Sequence, residues 1–105
     1  MSKTDISLGT WLSLYSEAIA EVLVNAGYEW VTVDLEHSAI TIDQAEKLIR
    51  VIDLAGAKPY VRVSSNDEVQ IKRVLDAGAK GIIVPMVESK KDVLAAINAT
   101  NYPPK

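Results

Sequence analysis

The stretch WVTVDLEHSA, residues 30–39, starts as an apolar strand and ends in two acids and the only histidine of the chain. Side chains alternate across a strand, so one face of this stretch is apolar and the other turns polar toward its end. The apolar face comprises Val31, Val33 and Leu35. The opposite face comprises Trp30, Thr32, Asp34 and Glu36. The pattern predicts a strand that packs under helices and presents polar groups at its carboxyl end.

A second stretch, YVRVSSND at residues 60–67, repeats this pattern around an arginine. One face comprises Val61 and Val63, and the other comprises Tyr60, Arg62 and Ser64. Barrel enzymes place their chemistry at the carboxyl ends of parallel strands. We therefore expect Asp34 and Arg62 to point into one opening at the carboxyl ends of the strands, here called the mouth. His37 would lie in the loop above it.

The residues alone leave other roles open for each of these side chains. Asp34 could brace the loop, and Arg62 could be its structural partner. Glu36 could be solvated or could stabilise a helix N-terminus, and His37 could be an ordinary surface residue. A lone histidine without a His-x-x-x-His or paired-acid motif is a weak indication of a metal site.

Four short apolar runs alternate with four segments of helical spacing along the chain. The runs are LGTWLSL (8–14), YEWVTVDL (28–35), KPYVRVS (58–64) and KGIIVPMV (80–87). The helical segments cover residues 17–26, 43–55, 67–77 and 90–99. Helix starts are indicated by Ser16, Ser89 and the capping box TIDQ at 41–44. Helix ends are indicated by Gly27, Gly56 and Gly78, because a left-handed residue is wanted there.

Strand and helix alternating four times predict successive βα units with parallel, adjacent strands. Four such units are half of a (β/α)₈ barrel, which needs about 250 residues. The alternative is a complete small α/β sheet with helices on both faces. The final segment NATNYPPK favours the half barrel, since it reads as a connection toward more structure.

We therefore expect residues 1–105 to form one domain, the N-terminal half of a barrel, as a truncated chain or a fragmentary gene product. Its two open edge strands would invite pairing with another copy.

Composition narrows the class of partner and compartment. A net charge of -3 argues against nucleic acid, which usually binds a basic face. The absence of cysteine excludes disulfides and thiolate–metal sites. No signal peptide is evident, and no apolar run approaches the roughly 20 residues that cross a bilayer. These features predict a cytoplasmic protein without a membrane partner.

Five segments together resemble the HpcH/HpaI aldolase family in order and spacing. They are LGTWLSL, AGYEWVTVDLEHS, PYVRVSSND, QIKRVLDAGAKGIIVPMV and ATNYPP, and they span residues 8–104. The Asp-Leu-Glu-His form is closer to the aldolase branch than to the citrate-lyase-like branch. The resemblance implies a class II, pyruvate-dependent aldolase with a (β/α)₈ barrel that assembles into homo-oligomers. It also implies a small 4-hydroxy-2-oxo or 2-keto-3-deoxy acid as substrate.

The resemblance gives the marked residues roles. It implies that His37 is the general base, acting through a metal-bound water, and that Asp76 is its partner. It implies that Arg62 holds the pyruvyl carboxylate and oxo group and stabilises the enolate. It further implies that Asp34 supports the surroundings of the metal and that Trp11 is an aromatic residue near the substrate.

The resemblance also implies a divalent metal, Mg²⁺, Mn²⁺ or Co²⁺. The family's metal ligands are a glutamate and an aspartate in the second half of the barrel, beyond Lys105. We therefore expect no metal ligand in this chain and no metal bound by it. Because those ligands are missing, we expect the 105-residue chain alone to be inactive.

The place of Asp76 raises a separate question. About nine residues of helix, at 1.5 Å each, put it roughly 13 Å below the mouth. We therefore predict that Asp76 pairs with His37 of a neighbouring subunit; the alternative is a local contact at the helix end.

Two functions of other classes remain open. The chain could be a non-catalytic half barrel that serves as an oligomerisation or binding module. It could also, with less support, be a complete small α/β regulatory domain.

Overall fold

Strands and helices alternate along residues 6–85, which are the residues that the computed structural model describes. The strands are β1 (Gly9–Leu12), β2 (Trp30–Asp34), β3 (Lys58–Arg62) and β4 (Gly81–Ile83). The helices are α1 (Glu17–Asn25), α2 (Ile42–Ala55) and α3 (Glu68–Asp76). The helix predicted at residues 90–99, its cap Ser89 and the segment 98–105 lie outside the described residues.

The four strands form one parallel sheet in the order β1-β2-β3-β4. Crossovers that are right-handed and always step in the same direction place every helix on one face of the sheet. In agreement, α1 packs on α2 and α2 packs on α3. A doubly wound sheet would instead reverse its strand order. The fold is therefore α/β of the (β/α)₈ barrel type, as the sequence predicted.

The core lies between the helices and the apolar face of the sheet. The strand residues of this face are fully buried, and so is the apolar stripe of α2. β2 contributes Val31 and Val33, β3 contributes Val61, and Val63 follows directly after β3; α2 contributes Ala45, Leu48, Ile49 and Ile52. The α2 residues recur at the i, i+3, i+4 and i+7 spacing of one helix face. Both predicted strand faces are thus confirmed.

The predicted helix boundaries hold to within one residue. The Ser16 hydroxyl accepts a hydrogen bond from the Ile19 amide, and Thr41 and Gln44 form the reciprocal capping box. Asp67, predicted as the first residue of α3, is instead its N-cap. Gly56 ends α2 with a φ of 110°, a left-handed conformation that glycine adopts without a Cβ clash. No described helix, within residues 6–85, is both long enough and apolar enough to cross a membrane.

The opposite face of the sheet is only partly covered by the described residues. One cross-strand row on this face alternates large and small side chains: Trp11, Thr32, Tyr60 and Gly81. Trp11 and Ile83 are each 41% exposed. A hollow of about 350 Å³ lies over this row. In a barrel, bulky residues from alternate strands fill the interior in layers, and this row has that form.

Gly9 makes a close approach on the same face. A Cβ added to Gly9 would lie 1.8 Å from ring atoms of Trp30. Since real Cβ contacts never approach this distance, either the indole or the strand would have to move. Gly9 is thus the residue that lets the Trp30 ring lie across β1.

We expect Gly9→Ala to destabilise the fold by about 1–3 kcal/mol, because the indole must leave its position against β1. Urea unfolding followed by circular dichroism measures this. Gly81→Ala is the matched control, since its Cβ would meet the Tyr60 ring at 3.2 Å and requires a far smaller shift. Equal losses for the two variants would contradict the account.

Candidate active site

An arginine–aspartate pair joins the carboxyl ends of β2 and β3. Asp34 and Arg62 are the last residues of their strands and lie directly opposite each other in the parallel register. Arg62 Nε donates to Asp34 Oδ1 at 3.2 Å, and Nη2 donates to Oδ2 at 2.7 Å. Two parallel N–H···O bonds of this kind are the strong, oriented form of an arginine–carboxylate pair. The two residues therefore meet at one mouth, as predicted.

Asp34 also shapes the loop that carries the histidine. Its Oδ1 accepts the backbone amides of Glu36 at 2.9 Å and His37 at 3.0 Å. The Ser38 hydroxyl donates to the Asp34 carbonyl and accepts the amide of Ile40 at 3.1 Å. A short acidic side chain that binds amides two and three residues on is a standard turn device. One carboxylate thus positions both the arginine and the histidine.

The hydrogen bond from Arg62 lowers the pKa of the Asp34 carboxyl from 3.8 to about 2. Burial acts in the opposite direction, and the amides of His37 and Glu36 add to the lowering. The same bond raises the pKa of Arg62. Asp34 is only 3% exposed, so its charge is paired and not solvated. The pair is ionised throughout the physiological range.

Arg62 lies between an aromatic ring and a second acid. Its guanidinium carbon is 4.5 Å from the centre of the Trp11 ring, which is a cation–π distance. Its Nε is 3.3 Å from Glu36 Oε1. Asp34, Glu36 and Trp11 together hold the guanidinium from three elements of the chain.

His37 lies at the rim of this cluster. Its Nδ1 is 2.9 Å from Arg62 Nη2, and its Nε2 is 3.8 Å from Glu36 Oε2. The side chain is 66% exposed, so an incoming molecule can reach it. The imidazole and the guanidinium therefore share one mouth, which is the arrangement that the sequence pattern predicted.

Asp76 lies away from this cluster. It is the last residue of α3, it is exposed, and α3 starts just after the carboxyl end of β3. Nine helical residues span about 13 Å, so Asp76 lies toward the amino ends of the strands, opposite the end that carries Arg62 and His37. Among residues 6–85, the hydrogen bond and ion pair of His37 go to Arg62 and Glu36. Pairing of Asp76 with a neighbouring subunit stays a prediction.

Two sets of contacts in the site, those of Glu36 and those of Trp11, are not predicted by the sequence pattern. Glu36, for which the sequence allows solvation or contact with a helix N-terminus, contacts both Arg62 and His37. The stacking of Trp11 on Arg62 joins β1 to β3, which no local pattern reveals. The signal for Glu36 was present in the strand alternation, which puts it on the same side as Asp34.

The described residues do not form a metal centre. Residues 6–85 hold no group of three or more His, Asp or Glu side chains arranged to bind a metal ion. Both oxygens of Asp34 are occupied by Arg62 and by backbone amides. The donors within residues 6–85 are therefore too few to hold a metal ion by themselves.

The sequence profile of the HpcH/HpaI aldolase/citrate lyase family matches residues 7–105. A 2-dehydro-3,6-dideoxy-6-sulfogluconate aldolase of Pseudomonas putida is 40% identical over 99% of this chain and 41% of its own length. A hydroxypyruvate/pyruvate aldolase of Paraburkholderia phytofirmans is 41% identical over 98% of this chain and 40% of its own length. The chain thus spans about 40% of the length of these curated relatives.

Solved structures show the same likeness. A citrate synthase, SbnG, superposes with a TM-score of 0.88 at 36% identity, over 95% of this chain and 41% of that one. A HpcH/HpaI aldolase/citrate lyase family protein of Burkholderia cenocepacia superposes with a TM-score of 0.84 at 36% identity. It covers 93% of this chain and 39% of its own.

The lowered pKa of Asp34 makes the stability of the fold depend on pH. Because the folded value lies below the ordinary one, the paired carboxylate stabilises the fold above about pH 4. That contribution, about 2 kcal/mol, is lost as the pH falls from 4 toward 2. Asp34→Asn should remove this acid limb from a plot of unfolding free energy against pH. Asp53→Asn, at an exposed position of α2, should retain it; equal slopes for Asp34→Asn and the parent would refute the assignment.

Proposed function

Since the chain belongs to the HpcH/HpaI aldolase/citrate lyase family, we propose that it is the N-terminal part of a class II aldolase. The proposed reaction cleaves a 4-hydroxy-2-oxo or 2-keto-3-deoxy acid to pyruvate and an aldehyde. The observation that carries the proposal is the 2.9 Å contact between the guanidinium of Arg62 and the imidazole of His37 at one strand-end mouth. This activity is proposed for the whole protein, of which these residues supply one side of the site.

Arg62 is the proposed anchor for the oxo acid. Its hydrogen bonds to described residues use Nε and Nη2, so Nη1 is the terminal nitrogen that residues 6–85 leave available. A planar guanidinium suits a carboxylate, which it can bind through two parallel bonds. Its fixed positive charge also suits the enolate that forms when the carbon–carbon bond breaks. The Trp11 ring and the Asp34 carboxylate keep that charge in place during the reaction.

His37 is the proposed base. Cleavage begins when a base takes the proton of the 4-hydroxyl group; the carbonyl of the aldehyde then forms as the C3–C4 bond breaks. The electron pair of that bond passes to the pyruvyl fragment as an enolate, which is then protonated at carbon. An imidazole suits the first step, because its ordinary pKa lies near neutral pH and it can both take and return a proton.

A divalent metal belongs to the proposal through the family resemblance only. In such aldolases a metal would stabilise the enolate as a Lewis acid. The described residues do not hold one by themselves, so its ligands would come from outside residues 6–85. Asp76 of a neighbouring subunit remains part of the proposal as a partner of His37.

The decisive test is a chimera in which residues 1–105 replace the matching segment of the Paraburkholderia aldolase. We expect metal-dependent pyruvate release from the chimera and none from the 105-residue chain alone. In the chimera, His37→Gln and Arg62→Lys should each lower kcat/KM by about 100-fold or more. Lys80→Gln, at an exposed lysine, is the control and should leave the rate unchanged. A folded chimera that is inactive beside an active parent, or a His37→Gln variant at full rate, would reject the proposal.

A second candidate function is a half-barrel association module. It is favoured by the apolar face with Trp11 and Ile83, which residues 6–85 leave incompletely covered. It is also favoured by the sheet order, in which β1 and β4 each pair with only one described strand. A second copy adding its β1 beside β4 would continue the parallel sheet and the large–small row.

This candidate predicts a dimer of twice the 11.4 kDa chain mass, measured by light scattering after gel filtration. Ile83→Glu should dissociate it, because a charge would enter the shared interior. Leu54→Glu is the matched control, since Leu54 is exposed on α2, away from that face. A monomeric parent chain, or equal behaviour of the two variants, would exclude the module.

A further inference from the structure

We propose that Glu36 is a positioning residue that, together with Arg62, decides which ring nitrogen of His37 carries the proton. The catalytic meaning of this role rests on the proposed aldolase function. The role itself follows from the contacts of three side chains at the carboxyl ends of β2 and β3.

Arg62 faces the Nδ1 atom of the His37 ring. A guanidinium has five N–H donors and no acceptor. Its Nη2 lies 2.9 Å from His37 Nδ1, so Nδ1 must accept the hydrogen bond with its lone pair. In the neutral imidazole the single proton is then on Nε2.

Glu36 faces the other ring nitrogen, Nε2. Glu36 Oε2 lies 3.8 Å from Nε2, while Oε1 of the same carboxylate lies 3.3 Å from Arg62 Nε. The Glu36 side chain is only 21% exposed, and its backbone amide is bound by Asp34. The carboxylate therefore has a defined place between guanidinium and ring.

The charges of Arg62 and Glu36 act on the ring together. With the proton on Nε2, the N–H faces an anion and the lone pair of Nδ1 faces a cation, so both contacts are attractive. With the proton on Nδ1, an N–H would face the guanidinium and a lone pair would face the carboxylate. Glu36 and Arg62 thus favour the same tautomer from opposite sides of the ring.

Asp34 cannot take this role, because its oxygens already bind Arg62 and two backbone amides. Among residues 6–85, Glu36 is the carboxylate that forms an ion-pair contact with the ring. A carboxylate beside one ring nitrogen favours the tautomer with the proton on that nitrogen, which is the orienting role of the aspartate in hydrolase triads. In this tautomer the lone pair of the ring is on Nδ1, the nitrogen beside Arg62.

The test uses nitrogen-15 NMR of the 105-residue chain, in which His37 is the only histidine and gives a single set of ring signals. Long-range proton–nitrogen correlation spectra at alkaline pH report the ratio of the Nε2–H to the Nδ1–H tautomer. We expect this ratio to be about fivefold higher in the native chain than in the same chain unfolded in urea. We expect Glu36→Gln to lower it part of the way toward the unfolded value, because Arg62 still donates to Nδ1.

Glu46→Gln is the matched control, because Glu46 lies on α2 and makes its ion pair at 3.2 Å with Arg73. It should leave the ratio unchanged. Equal ratios in the native and unfolded chain, or no change in Glu36→Gln, would overturn the proposal. A change in Asp76→Asn with none in Glu36→Gln would assign the role to Asp76 instead. None of these outcomes depends on turnover, so an inactive chimera would count against the aldolase function and not against this role.

Discussion

The paired charges of Asp34 and Arg62 are the interaction on which the rest of the site depends. The parallel register places the two residues opposite each other, and burial of the aspartate makes their pairing necessary. Removing one partner of a buried ion pair leaves an uncompensated charge, which costs far more than an exposed pair contributes. The same aspartate binds the amides of the following loop. Strand pairing, loop shape and the position of His37 therefore change together.

The cluster at the mouth carries more acid than base. Asp34 and Glu36 contribute two negative charges against the one positive charge of Arg62. Trp11 adds an uncharged wall that lets the guanidinium keep its orientation without a further anion. The two carboxylates hold the Arg62 guanidinium firmly, and they also occupy N–H groups that could otherwise bind an anion. Under the proposed function, an anionic substrate would compete with Asp34 and Glu36 for the guanidinium, and additional positive charge nearby would assist its binding.

The proteins that this chain resembles share one fold but are named for different reactions. An aldolase for a sulfogluconate and a citrate synthase resemble this chain to a similar degree. A shared fold with different chemistry means that specificity resides in the side chains around the mouth. Arg62 and His37 suit chemistry common to oxo acids.

Much of this architecture was determined by the sequence itself, because the signals were local. Alternation predicted the buried face with Val31 and Val61, and Thr41 and Gly56 marked the ends of α2. The prediction that Asp34 and Arg62 lie at the same end of the sheet followed from the alternation of strands and helices, which makes neighbouring strands parallel. The stacking of Trp11 on Arg62 and the contacts of Glu36 with Arg62 and His37 were decided only by tertiary structure. These contacts depend on the register between β1, β2 and β3 and on the conformation of the loop after β2. Neither the register nor the loop conformation produces a periodic pattern in the sequence.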